Sequence, residues 1–283
     1  MPFTDVGDAR IHYELSGPKT GEPVLLIMGL GWDMSGWDPM LPYLKGYRVL
    51  RFDNRGAGSS DAPDKPYSIE GMASDTLKVM DAVEMPSANV YGASLGSMIA
   101  QEIALSHPER VRSLILGCPS PGVVSVPGSP GIIRLMLTRD RYTPEEAFRK
   151  AAPFLFHRAL QQSPELVEEA LRRRLAIPVN AVGYRRQLQA PLRWSSLRRL
   201  PRLRVPTLVL HGDHDRLIPD INGRLIARLI PGARFYSIKG AGHVYSTDAP
   251  GEAAGVVMSF IEGQVKRRSD QAAFKLQTSR RQG

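Results

Sequence analysis

The sequence predicts an α/β fold: a mostly parallel central sheet flanked by helices, with a helical lid inserted before the strand that begins at Thr207. Three observations predict it. Short apolar runs alternate with segments of helical spacing from Ile11 to Gly117, the pattern of a parallel sheet covered on both faces. The alternation stops between Ser120 and Leu203, where helical segments follow one another without a convincing strand, and it resumes at Thr207. No run approaches the roughly 18 apolar residues that a membrane span needs, so the apolar segments belong to a core.

The elements follow in order. Ile11 to Glu14, Val24 to Met28 and Arg48 to Phe52 are short, mostly apolar candidate strands. Between Ser68 and Met85, the residues Ile69, Met72, Ala73, Leu77, Met80 and Val83 recur at helical spacing, and Ser68 is placed to cap the first turn. A strand at Asn89 to Tyr91 runs directly into a second helical pattern, Leu95 to Ser106, with Pro108 just beyond its end. Ser113 to Leu116 is the next strand. Pro121-Gly122, Pro127-Gly128 and Pro130-Gly131 then punctuate a loop that opens the lid. After the lid come a strand at Thr207 to Leu210, a helix at Pro219 to Ile230, a strand at Arg234 to Ile238 and a final helix from about Pro250 to Gln264. The expected organisation is a core in two parts, residues 1–119 and 204–265, around a helical lid at 120–203, with a basic, disordered tail at 266–283.

Composition narrows the function classes. A hydrophobic fraction of 42% and a charged fraction of 23% are those of an ordinary soluble protein. Residues Met1 to Asp8 hold no cationic segment followed by an apolar one, so no secretory signal is expected and the cytoplasm is the expected compartment. The single Cys118 rules out an internal disulfide and suits a buried packing position. Much of the net charge of +9 is concentrated in arginines between 172 and 204 and in the tail, without the stacking aromatics of single-strand binders. The expected partner is therefore a small molecule, with no nucleic acid and no membrane.

The sharpest local signal is Gly92-Ala93-Ser94-Leu95-Gly96, a G-x-S-x-G between a strand and a helix. Such a turn is tight enough to strain the serine and to require small residues on either side of it. It lifts the Ser94 hydroxyl above the sheet, beside the N–H groups of a helix start. A serine hydroxyl is a weak nucleophile and needs a base, which needs an orienting group in turn. His243, in the glycine-rich Gly240-Ala241-Gly242-His243 after a strand, is the best base. Asp215, in His211-Gly212-Asp213-His214-Asp215, is the best orienting acid, with Asp213 as its rival. His107, in Ser-His-Pro at a helix end, is read as complementing the helix dipole, while His12, His157, His211 and His214 have no partners at metal-ligand spacing, and no metal site is expected. Asp53 and Arg55 are read as ties for the loop after their strand.

Together these residues resemble the α/β-hydrolase superfamily, from near the N-terminus to about Gln264. Four motifs carry the likeness in order: Leu26-Ile27-Met28-Gly29-Leu30-Gly31, Phe52-Asp53-Asn54-Arg55-Gly56-Ala57-Gly58-Ser59-Ser60, the serine turn, and the Asp215 and His243 loops. The resemblance implies an α/β-hydrolase fold, places the acid at Asp215, and implies an oxyanion hole from the backbone N–H groups of Leu30 and Leu95. Met28 stands where a histidine often precedes Gly29 in the family, which questions how the oxyanion loop is braced. A Met-Gly loop is similar to that of a branch with esterases. Ser94 in place of an aspartate argues against the dehalogenase and epoxide hydrolase branches.

The implied activity is hydrolysis of a carboxylic ester or lactone of a small organic molecule through an acyl-enzyme on Ser94, with no cofactor. Its alternatives are a carbon–carbon bond hydrolase, a cofactor-independent perhydrolase or haloperoxidase, and a small-molecule receptor with a hydrolase-like pocket. Because the base must be neutral, activity is expected to rise with pH through a histidine pKa of about 6.5. Gly29, Trp32, Phe154, Phe156 and Trp194 are the candidate pocket lining. Apolar lid residues favour an acyl or ring-bearing substrate, and the lid arginines offer a second reading, a carboxylate.

Overall fold

The computed structural model describes residues 2–280, and among them eight strands pair into one sheet. They are β1 (Phe3–Asp5), β2 (Arg10–Ser16), β3 (Pro23–Ile27), β4 (Arg48–Phe52), β5 (Ala88–Ala93), β6 (Val111–Gly117), β7 (Thr207–Gly212) and β8 (Arg234–Ile238). Their spatial order is β1-β2-β4-β3-β5-β6-β7-β8. The β1–β2 and β2–β4 pairs are antiparallel, and every pairing from β4 to β8 is parallel. The sheet is thus mostly parallel, as the alternating pattern predicts. β1 has no counterpart in the expected elements, because three residues reading Phe-Thr-Asp carry no periodicity to detect.

Ten α-helices are described: α1 (Ile69–Ala82), α2 (Leu95–Ser106), α3 (Pro130–Leu137), α4 (Pro144–Leu155), α5 (Arg158–Gln162), α6 (Pro164–Ala176), α7 (Ala181–Gln189), α8 (Asp220–Leu229), α9 (Tyr245–Asp248) and α10 (Pro250–Arg280). Ser68 caps α1 as expected, its hydroxyl accepting from Gly71 N–H at 3.0 Å. The two faces of the sheet are set by the period-two alternation of its strands. In β3, which is buried throughout, Leu25 and Ile27 join the core shared with α1, α2 and α8, while Val24 and Leu26 join the core shared with α10.

α3 to α7 make up the lid, between β6 and β7, and part of it has a small apolar core of its own around Phe148, Phe156, Val167 and Leu171. The final helix does not end near Gln264 as expected: α10 runs on to Arg280, and Arg268 pairs with Glu22 beside β3, while residues 281–283 of the expected tail lie outside the described residues. The chain from 264 onward holds neither proline nor glycine before its last residue, so nothing in it stops a helix already begun. Among the described residues no helix is long and apolar enough to cross a membrane.

Candidate active site

β5, β7 and β8 all end at the same edge of the sheet, and the segments following them carry Ser94, Asp215 and His243. Ser94 joins β5 to α2 with φ +55°, left-handed backbone that a residue with a side chain rarely adopts. The two glycines of the turn are dictated by close backbone approach. A Cβ added at Gly92 would lie 2.1 Å from Gly96 O, and one at Gly96 would lie 2.1 Å from Ile27 O. Gly117 O accepts from Ser94 N–H at 2.8 Å and ties the turn to the neighbouring strand. Leu95 N–H opens α2, where the first amides have no intrahelical acceptor.

Asp215 is held from several sides. Its Oδ1 accepts from the backbone N–H of Leu217 at 2.9 Å and of Ile218 at 2.8 Å, and its Oδ2 accepts from His243 Nδ1 at 2.7 Å. His211 Nε2 lies 3.2 Å from the same Oδ2 and 2.7 Å from Ile218 O. Two oxygen acceptors around Nε2 assign its proton there. Burial works to raise the Asp215 pKa, and the imidazoles of His243 and His211 overcome it, holding the carboxyl well below the usual aspartate range. Asp213, the rival acid, instead accepts from Gly240 N–H at 2.7 Å and His214 Nδ1 at 2.8 Å, bracing the turn into the His243 loop.

Nδ1 of His243 is engaged by Asp215, which leaves Nε2 as its second ring nitrogen, and His243 and Ser94 both line a cavity of about 160 Å³. Cys118 lines it too. Burial, reinforced by Asp215, pushes that thiol well above its ordinary value, so it stays protonated. Cys118, Asp215 and His243 place metal-ligand types of atom within 4.8 Å of one another, but the Asp215 oxygens are already engaged by the backbone and the imidazoles. The cluster is joined by hydrogen bonds, from His243 Nδ1 to Asp215 and from Cys118 Sγ to His243 O.

The loop after β3 is braced without a histidine at Met28. Asn54 Nδ2 donates to Met28 O at 2.8 Å, and Met34 N–H donates to Asp53 Oδ1 at 2.7 Å. Gly31 N–H donates to Gln187 Oε1 on α7 at 2.7 Å, and Arg174 on α6 donates to Gly31 O. The Leu30 N–H has no protein acceptor among the described residues and lies beside the cavity that Leu30 helps to line.

Residues 22–250 match the family model described as the alpha/beta hydrolase fold. The chain belongs to that family. Among α/β hydrolases it is 34% identical over 247 residues to a poly(3-hydroxyalkanoate) depolymerase of Ectopseudomonas oleovorans, covering 87% of this chain and 86% of that one. It is 31% identical over 257 residues to a putative carbamate hydrolase of Azorhizobium caulinodans, covering 88% and 94%. The solved enol-lactonase of Burkholderia xenovorans superposes with a TM-score of 0.82 at 28% identity, covering 92% of this chain and all of that one. The protein is a hydrolase with the α/β-hydrolase fold.

The cavity of this hydrolase is lined differently from the sequence expectation. Gly29 and Trp32 line it, but Phe154, Phe156 and Trp194 do not. Phe154 lies under the guanidinium of Arg216, Phe156 packs in the lid core, and Trp194 is buried with its Nε1 donating to Glu102 at 2.7 Å. The lid reaches the cavity instead through Ile132, Leu135, Met136, Phe148 and Leu155. Three ties escaped the sequence reading: His211 on Asp215, Gln187 on the loop after β3, and Asp248, whose carboxylate accepts from Gly242 N–H at 2.6 Å and Ala159 N–H at 2.7 Å. His211 lies in the quoted Asp215 motif, four positions before the acid, so its spacing is there to be read; Gln187 and Asp248 lie in no such motif.

Proposed function

We propose that this hydrolase cleaves a carboxylic ester or lactone of a small organic molecule through an acyl-enzyme formed on Ser94. The observation that carries the reading is the 2.7 Å bond between His243 Nδ1 and an ionised Asp215, at a cavity that a left-handed Ser94 also lines. Asp215 fixes the tautomer with the proton on Nδ1, so Nε2 accepts the Ser94 proton as Oγ attacks the carbonyl. The N–H groups of Leu30 and Leu95 receive the developing oxyanion, a role in which one donor is typically worth about 10²–10³ in turnover. The imidazolium returns its proton to the leaving oxygen. Water, deprotonated by the same imidazole, then releases the acid and restores Ser94.

The depolymerase, carbamate hydrolase and enol-lactonase relatives support hydrolysis at a carbonyl, and the largely apolar lining supports an organic substrate. The test is a panel of acyl esters, lactones and β-diketones, run on the native chain and on Ser94→Ala. Ester or lactone turnover that vanishes in the variant is expected. Turnover undiminished by the substitution removes Ser94 from the mechanism, and exclusive cleavage of the diketones moves the reading to carbon–carbon hydrolysis.

A further inference from the structure

The cavity carries a charge that acyl chemistry does not use. Arg139, Arg173 and Arg174 of the lid all line it, and among the described residues its lining holds no carboxylate. Arg173 is committed elsewhere, to Glu169 on its own helix. Arg174 is not neutralised: it is 8% exposed, its Nη1 donates to the neutral Gly31 O, and its guanidinium lies over Trp32 at 5.2 Å from the ring centroid. Asp33 acts on Arg174 only from a distance, its own carboxylate accepting from Ser35 N–H.

Arg139 brings a second cation, stacked over Tyr184 at 4.8 Å from the ring centroid. Tyr184 and Arg174 meet at Gly31, where an added Cβ would lie 2.7 Å from Tyr184 Cδ2 and 3.3 Å from Arg174 Nη2. Burial, with the like charge of Arg139 next in size, lowers the Arg174 pKa to about 10, which still leaves it cationic at neutral pH. A buried guanidinium without an anion is costly, and a second one nearby adds repulsion. An anion entering with the substrate relieves both, and a carboxylate matches the planar fork of arginine.

We propose that the substrate carries a carboxylate, bound by Arg174 and Arg139 under the lid, and joined by an apolar stretch to the ester or lactone carbonyl presented to Ser94. Trp32, Leu135, Met136 and Phe148 line the cavity for that apolar stretch. The inference rests on the ester-hydrolase reading and names its substrate class.

The test uses nitrophenyl half-esters of dicarboxylic acids, each beside the monocarboxylic ester of equal chain length. The native enzyme is expected to favour the half-ester in kcat/KM by about tenfold to a hundredfold, the usual worth of a charge-assisted bond in a dry site. That ratio is expected to fall toward one in Arg174→Met and in Arg139→Met. A ratio within one variant is insensitive to how much of it folds, and Arg139, stacked on Tyr184, serves if loss of the Gly31 contact unfolds the other. The charge of +9 attracts anions to native and variant chains nearly alike, so the change on substitution is what decides.

A native ratio near one, or a ratio that neither substitution moves, overturns the proposal while leaving the ester-hydrolase reading in place. If the native chain cleaves neither ester, that reading fails on its own. Calorimetry with the free dicarboxylates and their monocarboxylic counterparts on Ser94→Ala then decides the arginine site. Binding of the dicarboxylate that Arg174→Met or Arg139→Met weakens tenfold supports it, and equal binding of both acids in all chains refutes it.

Discussion

Replacing Gln187 with methionine tests whether the lid holds the loop after β3 in place. The side chain is fully buried, and it bridges two backbone groups: Oε1 accepts from Gly31 N–H at 2.7 Å, and Nε2 donates to Arg55 O at 2.7 Å. Methionine keeps the length and nearly the volume, so no cavity opens, but both backbone groups lose their partner. At roughly 1–3 kcal/mol for each buried group left unsatisfied, the variant should lose about 2–6 kcal/mol. With a urea slope of about 3 kcal/mol/M for a chain of this size, the unfolding midpoint should fall by about 0.7–2 M, read by circular dichroism. Because Gly31 follows Leu30, a proposed oxyanion donor, kcat on an activated ester should fall about tenfold or more, toward the cost of losing one donor. A variant with the native midpoint and the native kcat would show that both groups find other partners and that the lid does not brace this loop.

Other outcomes follow from the same contacts. Gly96→Ala drives a methyl to 2.1 Å from Ile27 O and 2.8 Å from Met28 O, backbone atoms at the end of β3 and the start of the loop after it, and should cost at least about 3 kcal/mol or abolish soluble protein. Native thermal stability in that variant would mean that the turn can open. Asp215→Asn should lower kcat by about 10⁴ while leaving the lid and sheet intact, as checked by initial rates and by circular dichroism. The pH dependence of stability has a definite sign. Asp215 has a folded pKa below its unfolded one, so its ionised form stabilises the fold above the ordinary aspartate value, and that contribution is lost as pH falls below that value toward the lower folded one. The melting-temperature difference between native and Asp215→Asn should therefore hold steady near neutrality and shrink as pH falls below about 4. A difference that grows on acidification would contradict the assignment.

The parts of the site that were legible in the sequence are those fixed by backbone geometry. Gly92 and Gly96 must lack side chains because carbonyl oxygens occupy the space, and this constraint is written into residue type and spacing. Asp215 and His243 lie on loops after recognisable strands, so chain order located them without any contact information. Lid contacts leave no such trace. Gln187 reaches Gly31 across 156 positions, and an amide on a helix looks the same whether it braces a loop or faces water. The misplacement of Phe154 has a similar cause: it shares α4 with Phe148, and apolar spacing alone does not reveal which side of a helix a cavity lies on. Trp194 was misplaced because its partner, Glu102, sits on α2 and draws the indole into the core. The final helix outruns its expected end because polar composition does not by itself mark loss of order: a strongly charged segment can also be one face of a continuing helix.

The central claim is that a covalent acyl group forms on Ser94. Rapid quench of an activated ester with the native enzyme, followed by intact-mass and peptide mass spectrometry, tests it directly. An acyl increment on the peptide holding Ser94, appearing within the pre-steady-state burst and missing from Ser94→Ala, is the predicted result. A native chain that turns the ester over with no increment at Ser94, or with the increment on another residue, would contradict the account.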